Sequence, residues 1–233
     1  MIIPFGFIND TNSTYSIVTA NLWLNLDAGN PASYPGTGTT WYDLSGAGRD
    51  FTSYGTSIYV SSPIKCFYEP GFTRSTNFSG DDFTIQAWIN TTQAGTSGTG
   101  PLAVLASVSR GSENFSFGIG ENTKLTFLTG PLNSALRVST NASVNTGQWL
   151  NVAVTRTKST GEIKLYVNGV LDTTGTAASG TTLTGTGLLN MGSGNGVPIW
   201  IGGFLNNVLS YTAVLSDADI LQNYNAQYST YYG

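Results

Sequence analysis

Trp149–Leu171 reads WLNVAVTRTKSTGEIKLYVNGVL, two runs of strictly alternating residues joined by a polar connection. In the first run Leu150, Val152 and Val154 point one way, opposite Asn151, Ala153 and Thr155. In the second, Ile163, Leu165 and Val167 share a face opposite Lys164, Tyr166 and Asn168. Period-two alternation of β-branched and aromatic residues predicts half-buried strands. Thr157–Gly161 supplies the turn between them, and Asn168-Gly169 is the pair that a tight type I′ hairpin demands. A lone meander is marginal in water, so a second sheet must cover one face.

Working outward, the same punctuation recurs at roughly ten-residue spacing, as in all-β sandwiches. Toward the N-terminus, Asn21–Leu26 and Asp82–Asn90 (DFTIQAWIN) alternate strongly. Arg49–Tyr54, Ser57–Val60, Leu102–Ser109, Asn114–Ile119, Lys124–Thr129 and Leu136–Thr140 are shorter runs bounded by Gly, Pro or Asn. Phe67–Phe78 is interrupted by Pro70-Gly71. Beyond the central stretch, the Gly/Thr/Ala-rich residues Thr173–Gly187 are expected to form a long surface loop. Leu188–Met191 and Ile199–Tyr211 then close the sheets. A short C-terminal helix is expected after Ser216, an N-cap with Asp219 three residues on. The expected class is all-β, an antiparallel two-sheet sandwich with this one helix.

The 233 residues suit one large β domain, read as 21–233 behind an N-terminal arm at 1–20 that carries Ile2, Ile3, Phe5, Phe7 and Ile8. That arm is expected either to fold back on its own domain or to dock on a neighbouring subunit. Charged residues are only 9% and the net charge is −4 without a basic run, which argues against nucleic acid as a partner. No window is long and apolar enough to insert in a membrane. The start, MIIPFGFIND, lacks a signal-peptide pattern, so exit from a cell is expected by another route such as lysis. Cys66 is the single cysteine and the chain has no His. A thiol without an imidazole partner reads as a small buried apolar group.

With these pieces in order, the chain resembles the laminin G-like, concanavalin A-like jelly rolls. The C-terminal run from Ile201 to Ile220 carries most of the likeness, through Ile201, Gly203, Leu205, Val208, Tyr211, Leu215, Ser216, Asp219 and Ile220. Leu26-Asp27-Ala28, the FTIQAWI strand, the W-x-x-V-A-V-T-R strand with L-Y-V-N-G, and the loop Asp43–Gly48 agree in order. The resemblance implies a concanavalin A-like sandwich, a fold that hosts lectins, glycosidases, adhesion modules and capsid parts alike. Members of the family often bind calcium, so Asp43 and Asn206 are the candidate metal ligands. Ala47 and Arg49 stand where amide oxygens are common, and Asn206 where an acid is frequent. These departures favour Asp43 as the cap of its own turn, and no cofactor other than calcium is expected.

The glucanase relatives place carboxylates along one strand as E-x-D-x-x-E, and no such run exists here. Catalysis is therefore not expected. For glycans, Trp200, Trp41, Tyr34 and Tyr54 are the candidate stacking residues, in or beside loops, whereas Trp23, Trp88 and Trp149 read as core. Jelly rolls that resemble this sequence occur in phage tail, fibre and capsid-decoration proteins. The resemblance thus implies a virion structural protein at the particle surface, whose partners are other virion proteins or copies of itself. The alternative is a lectin-like module that recognises host-surface glycans.

Overall fold

The computed structural model describes residues 15–54, 57–78, 81–95, 102–108, 115–120, 122–129, 136–177, 179–181, 183, 185–192 and 202–233. In chain order the strands are β1 (Leu22–Asp27), β2 (Thr40–Trp41), β3 (Phe51–Ser53), β4 (Ile58–Val60), β5 (Cys66–Tyr68), β6 (Phe72–Phe78), β7 (Phe83–Thr91) and β8 (Leu102–Val108). They continue with β9 (Phe115–Ile119), β10 (Lys124–Thr129), β11 (Leu136–Ser143), β12 (Leu150–Thr157), β13 (Glu162–Val167), β14 (Val170–Thr176), β15 (Gly185–Met191) and β16 (Gly203–Tyr211). One helix, α1 (Asp217–Tyr232), follows.

Two antiparallel sheets form the sandwich. The first runs β14-β13-β12-β7-β16-β5-β4, with β1 also paired to β16. The second runs β11-β10-β9-β8-β15-β6-β3-β2. The central meander forms as the alternation predicts: Val154 opposes Leu165 across β12–β13, and Val154 opposes Ile85 across β12–β7. Asn168 and Gly169 have φ of 52° and 77°, the left-handed pair of a type I′ turn. The core between the sheets is built from Val152, Val154, Ile163 and Leu165 against Phe115, Phe117, Leu125 and Phe127.

Two expectations are corrected. Residues 173–187 are not one long loop, because β14 runs on to Thr176 and β15 begins at Gly185. Thr and Gly there are laddered against β13 and β6, and main-chain pairing does not need an apolar pattern. Half-burial also fails for the central strands of the first sheet, while β13 keeps its alternation. β7 and β12 are buried on both faces, because α1 lies across the outer one.

Beneath α1 sits a second apolar cluster of Ala153, Tyr166, Leu209, Tyr211, Leu215 and Ile220. Polar side chains around it bond to one another, with Asn151 Nδ2 left without a partner. The Gln86 amide NH2 donates to Asn151 Oδ1 (2.7 Å), and Asn223 Nδ2 donates to Gln86 Oε1 (2.9 Å) and Tyr211 Oη (3.1 Å). Ile17, Val18 and Leu22 pack against the same cluster, and the Val18 N–H donates to Asn223 Oδ1 at 2.8 Å. The last residues before β1 therefore fold onto their own domain; residues 1–14 of the arm lie outside the described residues.

Candidate functional site: a polar cleft between β1 and the C-terminal helix

β16 carries a bulge. Leu205 opposes Ile89 and Val208 opposes Ala87, so Asn206 and Asn207 together face Trp88 alone on β7. A bulge re-aims side chains, and two consecutive polar residues inside an apolar strand are its signature in the sequence. On the other edge of β16, Asp27 at the end of β1 opposes Asn207 directly. Directly opposed residues share a face, so these two side chains lie side by side.

The last turns of α1 close over this place. Trp88 stacks on Tyr231 with ring centroids 3.8 Å apart and 13° between planes, and its indole N–H donates to Gln227 Oε1 at 2.8 Å. Tyr231 donates its hydroxyl to Asn206 Oδ1 at 2.6 Å. Helical spacing brings Gln227, Thr230 and Tyr231 to one face. Together with Asp27, Gly29, Asn30, Pro31 and Asn207 they line a cleft of about 460 Å³, within the range of ligand sites.

Hydrogen-bonding capacity in the cleft is left open. Asn207 is 3% exposed, yet its Oδ1 accepts no hydrogen bond, and an unpaired buried acceptor costs stability unless something else meets it. Asp27 Oδ1 accepts the Gly29 N–H at 2.8 Å. Burial raises its carboxyl above the ordinary 3.8, an effect larger than the opposing main-chain hydrogen bonds from Gly29 and Asn30. Asn30 Oδ1 accepts the Ala32 N–H, which leaves its NH2 free to donate, as Gln227 does by the same reasoning.

The residues singled out from the sequence fall elsewhere. Trp41 is 0% exposed and packs on Phe67 and Phe72, and Tyr34 is 6% exposed against Tyr59 and Phe67. Neither can offer a ring face to a sugar in solution, because the faces are already used in the core. Tyr54 is 42% exposed but stands apart from the cleft lining. Trp200 lies outside the described residues. Among the tryptophans read as core, Trp88 is buried. Trp23 and Trp149 are half-buried, the former under the Arg49 guanidinium at 4.8 Å and the latter lining a mainly apolar pocket of about 240 Å³ with Phe204 and Cys66. The Cys66 thiol is buried and pushed up to about 12 by that burial.

Asp43 does not fit a calcium ion. Its Oδ1 accepts from the N–H groups of Asn25 (3.0 Å) and Ser45 (2.9 Å), and its Oδ2 from the Ser45 hydroxyl (2.6 Å) and the Arg49 N–H (3.0 Å). Four donors occupy the carboxylate, which ties its own turn to β1. Asn206 belongs to a different contact set, Tyr231 and the Lys65 carbonyl, so the two candidate ligands share no partner. Among the described residues no three His, Cys, Asp or Glu side chains cluster.

Sequence reasoning passes over Asp27, Asn30, Asn207 and Gln227. The Asn206-Asn207 pair is the legible signal; the union of β1 with the helix end is not local.

A family model described as the concanavalin A-like lectin/glucanases superfamily matches residues 70–221, and the chain belongs to that superfamily. Among solved structures it is similar to the binding domain of Paraclostridial mosquitocidal protein 1, with 14% identity, 89% of this chain and 52% of that one covered, and a TM-score of 0.66. The binding domain of botulinum neurotoxin DC in complex with SialylT matches at 18% identity, 92% and 52% coverage, and a TM-score of 0.67. Trypanosoma rangeli sialidase in complex with sialic acid matches at 18% identity, 94% and 35% coverage, and a TM-score of 0.67. The chain thus spans about half of each toxin domain and a third of the sialidase, and at these identities the likeness is one of fold. No curated protein sequence matches it.

Proposed function

We propose that this chain is a carbohydrate-binding module and that the Asp27–Asn207 cleft receives the saccharide. The carrying observation is the buried, unpartnered Asn207 Oδ1 beside the Asp27 carboxylate in a cleft large enough for a small glycan. Sugars offer hydroxyl donors, and an acceptor left dry in the free protein is satisfied when one arrives. The toxin and sialidase relatives, whose names record binding domains, one in complex with SialylT, and a sialic-acid complex, support glycan recognition as the class of function. We read the module as non-catalytic. Asp27 is the single carboxylate among the described cleft residues, whereas glycoside hydrolysis uses a facing pair.

A glycan array followed by titration tests this. Asn207→Ala is expected to weaken binding about tenfold, as loss of a buried polar contact does, with the thermal melt retained. Undiminished binding in both Asn207→Ala and Asp27→Asn would remove the cleft from the proposal. Display of such a module on a particle surface is the form in which the virion role expected from the sequence would operate. Light scattering on the chain with and without residues 1–19 tests its assembly; equal, monomeric masses would count against it.

A further inference from the structure

Resting on that reading of the cleft, we infer that it selects uncharged sugars presenting two neighbouring hydroxyls, and rejects glycans that place a sialic acid carboxylate there. The floor offers acceptors. Asn207 Oδ1 has no donor, and no side chain among the described residues donates to Asp27. The cross-strand register sets these two acceptors side by side on one face, with Cβ atoms about 5 Å apart as in any directly opposed pair. A hydroxyl donor reaches about 2.8 Å to its acceptor, so two diverging hydroxyls of one ring can each donate to its own oxygen. The rim offers neutral donors, the amide NH2 groups of Asn30 and Gln227 and the Thr230 hydroxyl.

Charge decides the selection. Asp27 is the one ionisable acid or base among the described lining residues apart from the Tyr231 phenol, and no Lys or Arg joins them. Lys65 reaches the neighbourhood through its main-chain carbonyl, which accepts from Asn206. A ligand carboxylate would therefore meet Asp27 across a partly buried site without a counter-cation, and like charges at such range are costly. A neutral hydroxyl is attracted by the same oxygen, as a charge-assisted donor.

The test is an array printed with each oligosaccharide core in neutral and sialylated form, followed by calorimetric titration of the full chain with the best-bound core in both forms. The neutral form is expected to bind about tenfold or more tightly than its sialylated partner. Asp27→Asn should weaken the neutral form and narrow that gap, while the circular dichroism spectrum stays unchanged. Equal or stronger binding of the sialylated form, or a gap untouched by Asp27→Asn, overturns the selectivity and leaves glycan binding standing. If neither form binds at millimolar concentration, the glycan reading falls and the selectivity falls with it.

Discussion

Burial raises the Asp27 carboxyl above 3.8, the value it keeps in an unfolded chain. Between those two values the native state holds more protons than the unfolded one, so stability falls as pH rises through that window. Asp27→Asn removes the cost of an ionised buried carboxylate. The variant should melt above the parent at pH 7, with the difference shrinking as pH drops through the raised value; thermal melts across pH 3–8 read this directly. Tyr231 works in the opposite sense. Its hydroxyl satisfies Asn206 Oδ1, and Asn206 is 2% exposed. Tyr231→Phe keeps the stack on Trp88 but strands that acceptor, at a cost of about 1–3 kcal/mol by chemical denaturation. A loss below a few tenths would mean that water reaches Asn206.

At the scale of elements, the hairpin and the helix start each rest on one residue. Gly169 sits at φ 77°, and a Cβ there would meet Leu221 Cδ1 at 2.9 Å. Gly169→Ala should therefore destabilise by about 1–2 kcal/mol from backbone conformation alone, with the α1 contact adding to it. Ser216 caps α1 through a reciprocal box: its Oγ accepts the Asp219 N–H at 3.2 Å, and its N–H donates to Asp219 Oδ2 at 3.1 Å. Ser216→Ala is expected to cost about 1 kcal/mol, measured as a shift in denaturation midpoint at constant slope. Both features are legible in the amino-acid sequence, since Asn-Gly and Ser-x-x-Asp state their backbone chemistry in the residues themselves. The strand content of residues 173–187 is not, because a ladder of Thr and Gly is held by main-chain groups and by neighbours distant in sequence.

For the whole molecule, α1 is a third layer of the fold. It covers Trp88, Tyr166 and Tyr211 and completes the amide network of Gln86, Asn151 and Asn223. Removing residues 217–233 should expose this aromatic surface, raise binding of a hydrophobic dye and promote aggregation. A soluble truncated chain with an unchanged melt would show the layer to be dispensable. The sequence by itself determined the sandwich class, the meander at 149–171, the type I′ turn and the helix start, because alternation, glycine geometry and capping are local properties. Tertiary structure alone decided that β7 and β12 are buried on both faces and that Trp41 and Tyr34 spend their rings in the core. It also decided the cleft, where residues 27, 30, 207 and 227 meet. Pairing of β1 with β16 joins segments about 180 residues apart in the chain, and α1 docks on β7 across 137 to 139 residues; no periodicity within a segment records which partner it will find.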